Sequence, residues 1–398
     1  MTVYTDPKRR HDFVLLFDVT DGNPNGDPDG GNLPRTDPET LQGLVTDVAL
    51  KRKVRNYVEI VAPETDREAE LKIFVEHHGV LNNQIRRAYK ALNIPVGNPV
   101  SEPVKEPDIV ATLRELDLPE GFSFTDSEDS DEVDEVDEVN EVDGNGETTT
   151  EAEDVVPILH YSGELSDSEL KSALDDLGEA LDKKTRSFLS KTAKKSGKPV
   201  KSRENVEKAR NWMCQNFFDV RMFGAVMGTG LNAGQVRGAM QLTFARSIDA
   251  ILPQDMAITR VAVTKEEERE KLQTIGRKTF IPYGLYQCQG FYSPHLAAQT
   301  HVTQADLELF WQALIRMWEF DRSASRGLMA PRGLYIFSHE SKLGNAPAHK
   351  LFERISTKLK DEGSSPRQFS NYDVAIVPDD DADRPLPAGV TLTRLIEG

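Results

Sequence analysis

Phe13-Val14-Leu15-Leu16-Phe17, closed by Asp18-Val19-Thr20, runs into Asp21-Gly22-Asn23-Pro24-Asn25-Gly26-Asp27-Pro28-Asp29-Gly30-Gly31-Asn32, and the reading of this stretch decides the fold. Five apolar residues in a row suit a strand buried on both faces, because a half-buried strand would alternate. In the loop that follows, nearly every residue either tolerates positive φ or fixes φ for a turn, so exposed backbone N–H groups are expected. Beyond it, Leu50, Val54, Tyr57, Val58 and Val61 recur at spacings of three and four, which predicts a helix over 44–61. On that helix Lys51 and Arg55 fall at the edge of the apolar stripe, while Arg52 and Lys53 point away from it. A strand, a turn-rich loop and a cationic helix flank together suit a phosphate-rich partner.

Working outward, the chain of 398 residues has room for two or three domains, and 38 % apolar residues suffice for a sizeable core. The N-terminal residues lead into a strand instead of an apolar leader, and no apolar run reaches the ~18 residues of a membrane span. Cys214 and Cys288 form neither a CxxC pair nor a metal spacing, so a reducing cytoplasm with free thiols is expected. The net charge of −18 seems to argue against nucleic acid, but the charge is segregated. Residues 126–154 hold 15 Asp or Glu and no Lys or Arg, whereas 183–210 hold 11 Lys or Arg against two Glu. An acidic tract built on the triplet Asp-Glu-Val, with almost no aromatic residues, cannot offset chain entropy by burial, so 125–155 is expected to be disordered.

Other elements follow from pattern. Leu71–Val75 reads as a short strand, 82–93 as a helix, and 166–181 as a helix with Ser166 as N-cap. Ile258–Thr264 and Lys278–Ile281 read as the two arms of a long hairpin. Thr303 and Asp306 make a capping-box start for an amphipathic helix carrying Leu307, Phe310, Trp311, Leu314, Met317 and Trp318. Leu334–Phe337 reads as a buried strand, 348–360 as a helix and 372–377 as a final strand. Strand, helix, strand pair, helix, strand is the order of a ferredoxin-like sheet, the architecture shared by RNA-recognition domains, so the fold class is α+β.

Catalytic signals are weak. None of the eight His lies in an HExxH pair, and no metal-ligand spacing stands out. Asn25 to Gly30 imitates the start of a calcium loop, but Thr36 in the twelfth place cannot supply the bidentate carboxylate. Gly228 to Gly234 has the spacing GxGxxxG and is followed by a strand pattern, which excludes a dinucleotide loop. No cofactor or metal is expected. The carboxylates Asp27, Asp29 and Asp37 leave one alternative, a metal-dependent RNA endonuclease, although turn-rich loops use Asp to bond their own backbone.

Asn23–Pro28, Asn32–Thr40 and Gly43–Val58 closely resemble the Cas-seven family, in the Csd-two type that builds the backbone of the subtype I-C CRISPR surveillance complex, Cascade. The resemblance returns in Asn216–Met227, Gly234–Gly238, Phe244–Ile248, Gly276–Tyr286 and Asp321–Gly327, and it is weak or absent over roughly 96–200. It implies a noncatalytic protein whose copies line up head to tail on a CRISPR guide RNA, with other Cascade subunits, and present its bases to target DNA. It also implies an RRM-like palm over 11–95 and 205–398, an insertion over 96–204 and a thumb hairpin over 255–283 that bends over the guide. A carrier of arbitrary guides should hold phosphates and sugars and leave base edges free. The candidate RNA contacts are therefore Arg35, Lys51, Arg52, Arg55, Arg237, Arg246, Arg260, Arg277, Lys278, Arg322 and Arg326. The aromatic RNP signature of RNA-recognition sheets is absent, so stacking of bases on an aromatic sheet face is not expected.

Overall fold

The computed structural model describes residues 2–94, 99–119, 121–125, 157–163, 167–178, 181–196, 202–228, 231–260 and 274–397. The expected acidic tract lies outside them, except for Thr125. The chain divides into two compact units. One comprises 1–79, 211–225 and 235–398; the other comprises 80–210 and 226–234.

The first unit is built on an eight-stranded sheet. Its main path uses β1 (His11–Gly22), β2 (Gln42–Val45), β3 (Ala245–Ala250), β4 (Thr274–Tyr292), β5 (Leu328–His339) and β6 (Val390–Glu397). They lie in the order β6-β5-β1-β4-β3-β2, every neighbouring pair antiparallel. Short strands Met240–Leu242 and Gln254–Arg260 also pair with β4.

The apolar run of β1 is explained by two cores. Phe13, Leu15, Phe17 and Val19 point into the main core with helices α1 (Asp47–Val61) and α2 (Gln304–Phe320). Val14 and Leu16 face the other way, among Tyr335, Phe337, Leu351, Ile355 and Leu392. A strand in the middle of a sheet with both faces covered has no solvent side, so no polar alternation survives. Stacking on the main-core side is specific: the Phe17 ring lies 5.4 Å from Tyr286 and 4.8 Å from Trp318, nearly parallel to the first.

Local signals hold at several ends. Thr303 and Asp306 form a capping box at the start of α2, as their spacing requires. Thr46 caps α1 through its hydroxyl, which accepts from Ala49 N. That cap places Leu44 and Val45 in strand β2 and shortens the expected helix by three residues. Other expectations are corrected. Residues 71–75 make a single bridge, Lys72 to Phe217, and no strand. The helix expected over 348–360 is only Ala348–Phe352, because Ile355–Leu359 pairs instead with Tyr372–Ile376. Residues 390–397 form edge strand β6. The expected hairpin arms begin earlier: Gln254–Arg260 pairs with Thr274–Phe280, and the latter runs on without a break into the sheet as β4.

The second unit has its own small core. Strands Val100–Pro103, Ile158–Tyr161 and Phe122–Thr125 form a three-stranded sheet. Leu159 and Tyr161 pack with Ile109, Leu113, Leu174 and Leu189 from helices Pro107–Glu115, Asp167–Asp176 and Lys183–Lys195. Part of the basic tract thus forms a helix whose inner face is Thr185, Leu189, Thr192 and Ala193.

Candidate nucleic-acid interface

Three stretches far apart in sequence meet beside the end of β1. The loop after β1 doubles back: Gly26-Asp27 pairs with Leu33-Pro34, and Asn25 reaches across to accept from Thr46 N at 3.0 Å. Asn23 N donates to Ser325 O at 2.8 Å, which draws the segment after α2 against the loop. This approach depends on glycine. A Cβ at Gly22 would stand 1.9 Å from Arg326 O, and Gly327, at φ +62°, leaves no room against Thr20 O and Asp21 O.

The meeting point is a cleft of about 260 Å³ lined by Asn23, Asn25 and Asn32 from the loop, Arg52 and Lys53 from α1, and Ser325 and Arg326. Its floor is ionic. Lys53 and Arg326 share the carboxylate of Asp321, Arg326 at 2.6 Å. Burial pushes the Lys53 pKa down, and the charge of Asp321 opposes that shift. Arg52 donates to Val75 O at 2.8 Å from the cleft wall. Three cations against one carboxylate leave the cleft positive. The Asn23 side chain donates to Asn32 O at 2.7 Å, and its Oδ1 has no hydrogen-bond partner among the described residues. Thr279 on β4 donates to the same Asn32 O at 2.7 Å, so the loop is also tied to the root of the hairpin.

The expected backbone donors are less available than the sequence suggests. Asn23 N, Asn32 N and Arg35 N all donate to carbonyls of the first unit, and Asp29 N donates to the Asp27 side chain. Side chains therefore supply most of the polarity of the cleft. Lys53 and Ser325 belong to it although neither was among the candidates, and Lys53 was expected to point away. Only the chain fold puts Asp321 beneath it.

The eleven candidates divide. Arg52 and Arg326 line the cleft. Arg35, on the same loop, pairs with Asp27 at 3.3 Å. Lys51 is held by Asp47 at 2.8 Å and lies over the Phe223 ring. Arg55 is a correction: it is 7 % exposed, paired with Asp219 at 2.8 Å, and so serves the core. Arg246 is exposed on β3 and pairs with Asp37 at 2.9 Å. Arg277 pairs with Asp255 across the hairpin at 2.5 Å, and Lys278 stands opposite Met256. Arg322 is held by Glu319. Arg237 is exposed with no partner among the described residues. The side chain of Arg260 lies outside the described residues.

The three loop carboxylates do not converge. Asp27 caps its own turn, and Asp37 accepts from Glu39 N at 3.0 Å and Thr40 N at 3.2 Å. The Arg246 guanidinium, with those amides, holds the Asp37 carboxyl down to about 2. Among the described residues no group of three or more His, Cys, Asp or Glu is placed to hold a metal ion, and no helix is long and apolar enough to cross a membrane.

An antiparallel sheet with helices on its main-core face, carrying at one end a cleft of amides, a hydroxyl and cationic side chains, makes this an α+β protein. The chain belongs to the family of CRISPR-associated protein Cas7, whose family model matches residues 9–117 and 151–377. A CRISPR-associated protein Cas7 of Haloferax volcanii is 48 % identical over 50 residues, which span 13 % of this chain and 15 % of that relative. Among solved structures, a chain of a CRISPR RNA-guided surveillance complex in a pre-nicking state is similar over 82 % of this chain and 78 % of its own, with 16 % identity and a TM-score of 0.41. A chain of a second CRISPR RNA-guided surveillance complex is similar over 82 % of this chain and 75 % of its own, with 14 % identity and a TM-score of 0.30.

Proposed function

We propose that this protein is a CRISPR RNA-binding backbone subunit of a surveillance complex of the subtype I-C kind, acting in antiviral defence. Copies join head to tail along one guide RNA, with other Cascade subunits, and leave the bases free to pair with target DNA. A heterologous contact of this kind builds an open row instead of a closed dimer. One observation carries the reading: the loop, α1 and the segment after α2 converge on a single positive cleft. Family membership supports the guide RNA as the anion that fills it. The subtype rests on the long sequence matches around that cleft.

In this reading β1, α1, β3, β4, α2 and β5 are a ferredoxin-like palm, and the hairpin across 255–283 is its thumb. Residues 96–204 are a lobe set between the two palm segments, of which the family model leaves only 118–150 unmatched. The cleft grips ribose and phosphate through Arg52, Arg326 and the loop amides. Arg35, Arg237, Arg246, Arg260, Arg277, Lys278 and Arg322 extend the track, and Lys51 stiffens α1. Asp27, Asp29 and Asp37 keep their turns, so the protein binds RNA without cutting it, in the cytoplasm.

The test is the purified protein itself. Nucleic acid extracted from it should be degraded by RNase and resist DNase. Binding of single-stranded RNA should weaken with salt, and Arg52→Ala and Arg326→Ala should each flatten the log–log slope by roughly 0.7. Protein free of RNA and indifferent to added guide refutes the reading.

A further inference from the structure

We propose that the outer face of the sheet in the first unit carries a nucleobase site, which takes one unpaired base of a bound single-stranded RNA against the ring of Phe244. The proposal rests on the RNA-binding reading above and names a contact separate from the phosphate cleft.

The site follows from the alternation of β4. Tyr286 and Cys288 point into the main core, so Gln287 and Gln289 face outward. Arg246 stands directly opposite Gln287 in the register with β3. Together with Gln42, Thr243, Phe244 and Thr357 these residues line a groove of about 470 Å³, within the ~300–1,000 Å³ common for small-ligand sites.

Three features mark it as a place for a base. Phe244 is 50 % exposed, leaving a flat aromatic surface uncovered. The Thr357 hydroxyl is buried without a hydrogen-bond partner among the described residues, a costly condition that an incoming polar edge would relieve. Two amides remain available. Among the described residues Gln287 has no side-chain partner, and the Gln289 side chain uses only its carbonyl oxygen, accepting from Thr243 at 3.1 Å. A primary amide both donates and accepts, so it can meet the edge of any base, while stacking on a phenyl ring is indifferent to base identity. The RNP signature is not needed for this: one aromatic, set in the link between Met240–Leu242 and β3, supplies the platform. The lining sets Phe244 and Ile248 beside amides, hydroxyls and a guanidinium, a mixture that suits a base with an apolar face and a polar edge.

The experiment uses the full chain and a single-stranded RNA carrying 2-aminopurine, titrated at several salt concentrations. Phe244→Ala should weaken binding by about 5- to 100-fold and abolish quenching of one class of 2-aminopurine, leaving the salt slope unchanged because stacking releases no counterions. Phe244→Trp should restore both. The proposal is overturned if Phe244→Ala leaves affinity and quenching intact, or if it alters the salt slope. It is equally overturned if the substitution instead reduces self-association of RNA-free protein, which would make Phe244 a subunit contact. If Arg52→Ala flattens the slope while Phe244→Ala is silent, the cleft stands and the groove falls. If the wild type binds no RNA, both fall.

Discussion

Arg52 and Arg55 lie three residues apart on one helix, and replacing each by alanine should produce opposite phenotypes. Arg55 is buried, its guanidinium 2.8 Å from an Asp219 carboxylate that is itself 1 % exposed, and it lies 5.4 Å from the centre of the Phe223 ring. Removing one partner of such a pair strands the other in a low-dielectric interior, at a cost of about 3–5 kcal/mol. Asp219 would keep Phe74 N at 2.8 Å and Val75 N at 3.1 Å, which favours the lower end. At roughly 2–4 °C per kcal/mol, Arg55→Ala should lower the melting temperature of the first unit by about 6–12 °C. Arg52→Ala removes one hydrogen bond to Val75 O, worth about 1 kcal/mol, but takes a cation out of the cleft. Thermal denaturation with RNA binding across a salt series reads both effects. Arg55→Ala should melt early with an unchanged salt slope at temperatures where it is folded, and Arg52→Ala should do the reverse. An Arg55→Ala protein that melts like the wild type yet loses salt dependence would refute the assignment of the two arginines.

Stability should also depend on pH through His11. Burial pulls its pKa down to about 4, against about 6.5 unfolded, so between these values the unfolded chain binds the extra proton and stability rises with pH. The contribution, about 3 kcal/mol, is complete above pH 6.5 and lost on the way down to pH 4; urea midpoints at pH 7 and 4.5 measure it, and His11→Leu should flatten the difference. Gly22→Ala would drive a methyl group into Arg326 O, so it should destabilise the first unit and weaken RNA binding together, read by melting and by filter binding. Both cysteines are buried, and burial pushes the Cys288 thiol up to about 12, so a thiol reagent should label neither in native protein and both in denaturant.

What could be read from the chain alone is what neighbours along it decide. The unbroken apolar run of β1 announced burial on two sides, and Thr303 with Asp306 announced the start of α2, because capping and periodicity act within a few residues. The motifs of the loop, of α1 and of 321–327 were each visible as separate cationic or turn-rich stretches. Their meeting was not. Whether a basic residue on α1 is a core strut or a cleft donor depends on where carboxylates arrive. Arg55 meets Asp219 from 164 residues away, and Lys53 meets Asp321 from 268. Likewise 348–360 carries helix-compatible residues, yet its second half is a strand because Tyr372–Ile376 offers an edge to pair with. Phe244 was only one aromatic in a matched stretch until the outward glutamines of β4 gathered around it. Tertiary contacts override local preference because burying a charge without its partner, or leaving a strand edge open, costs more than any single residue's conformational bias.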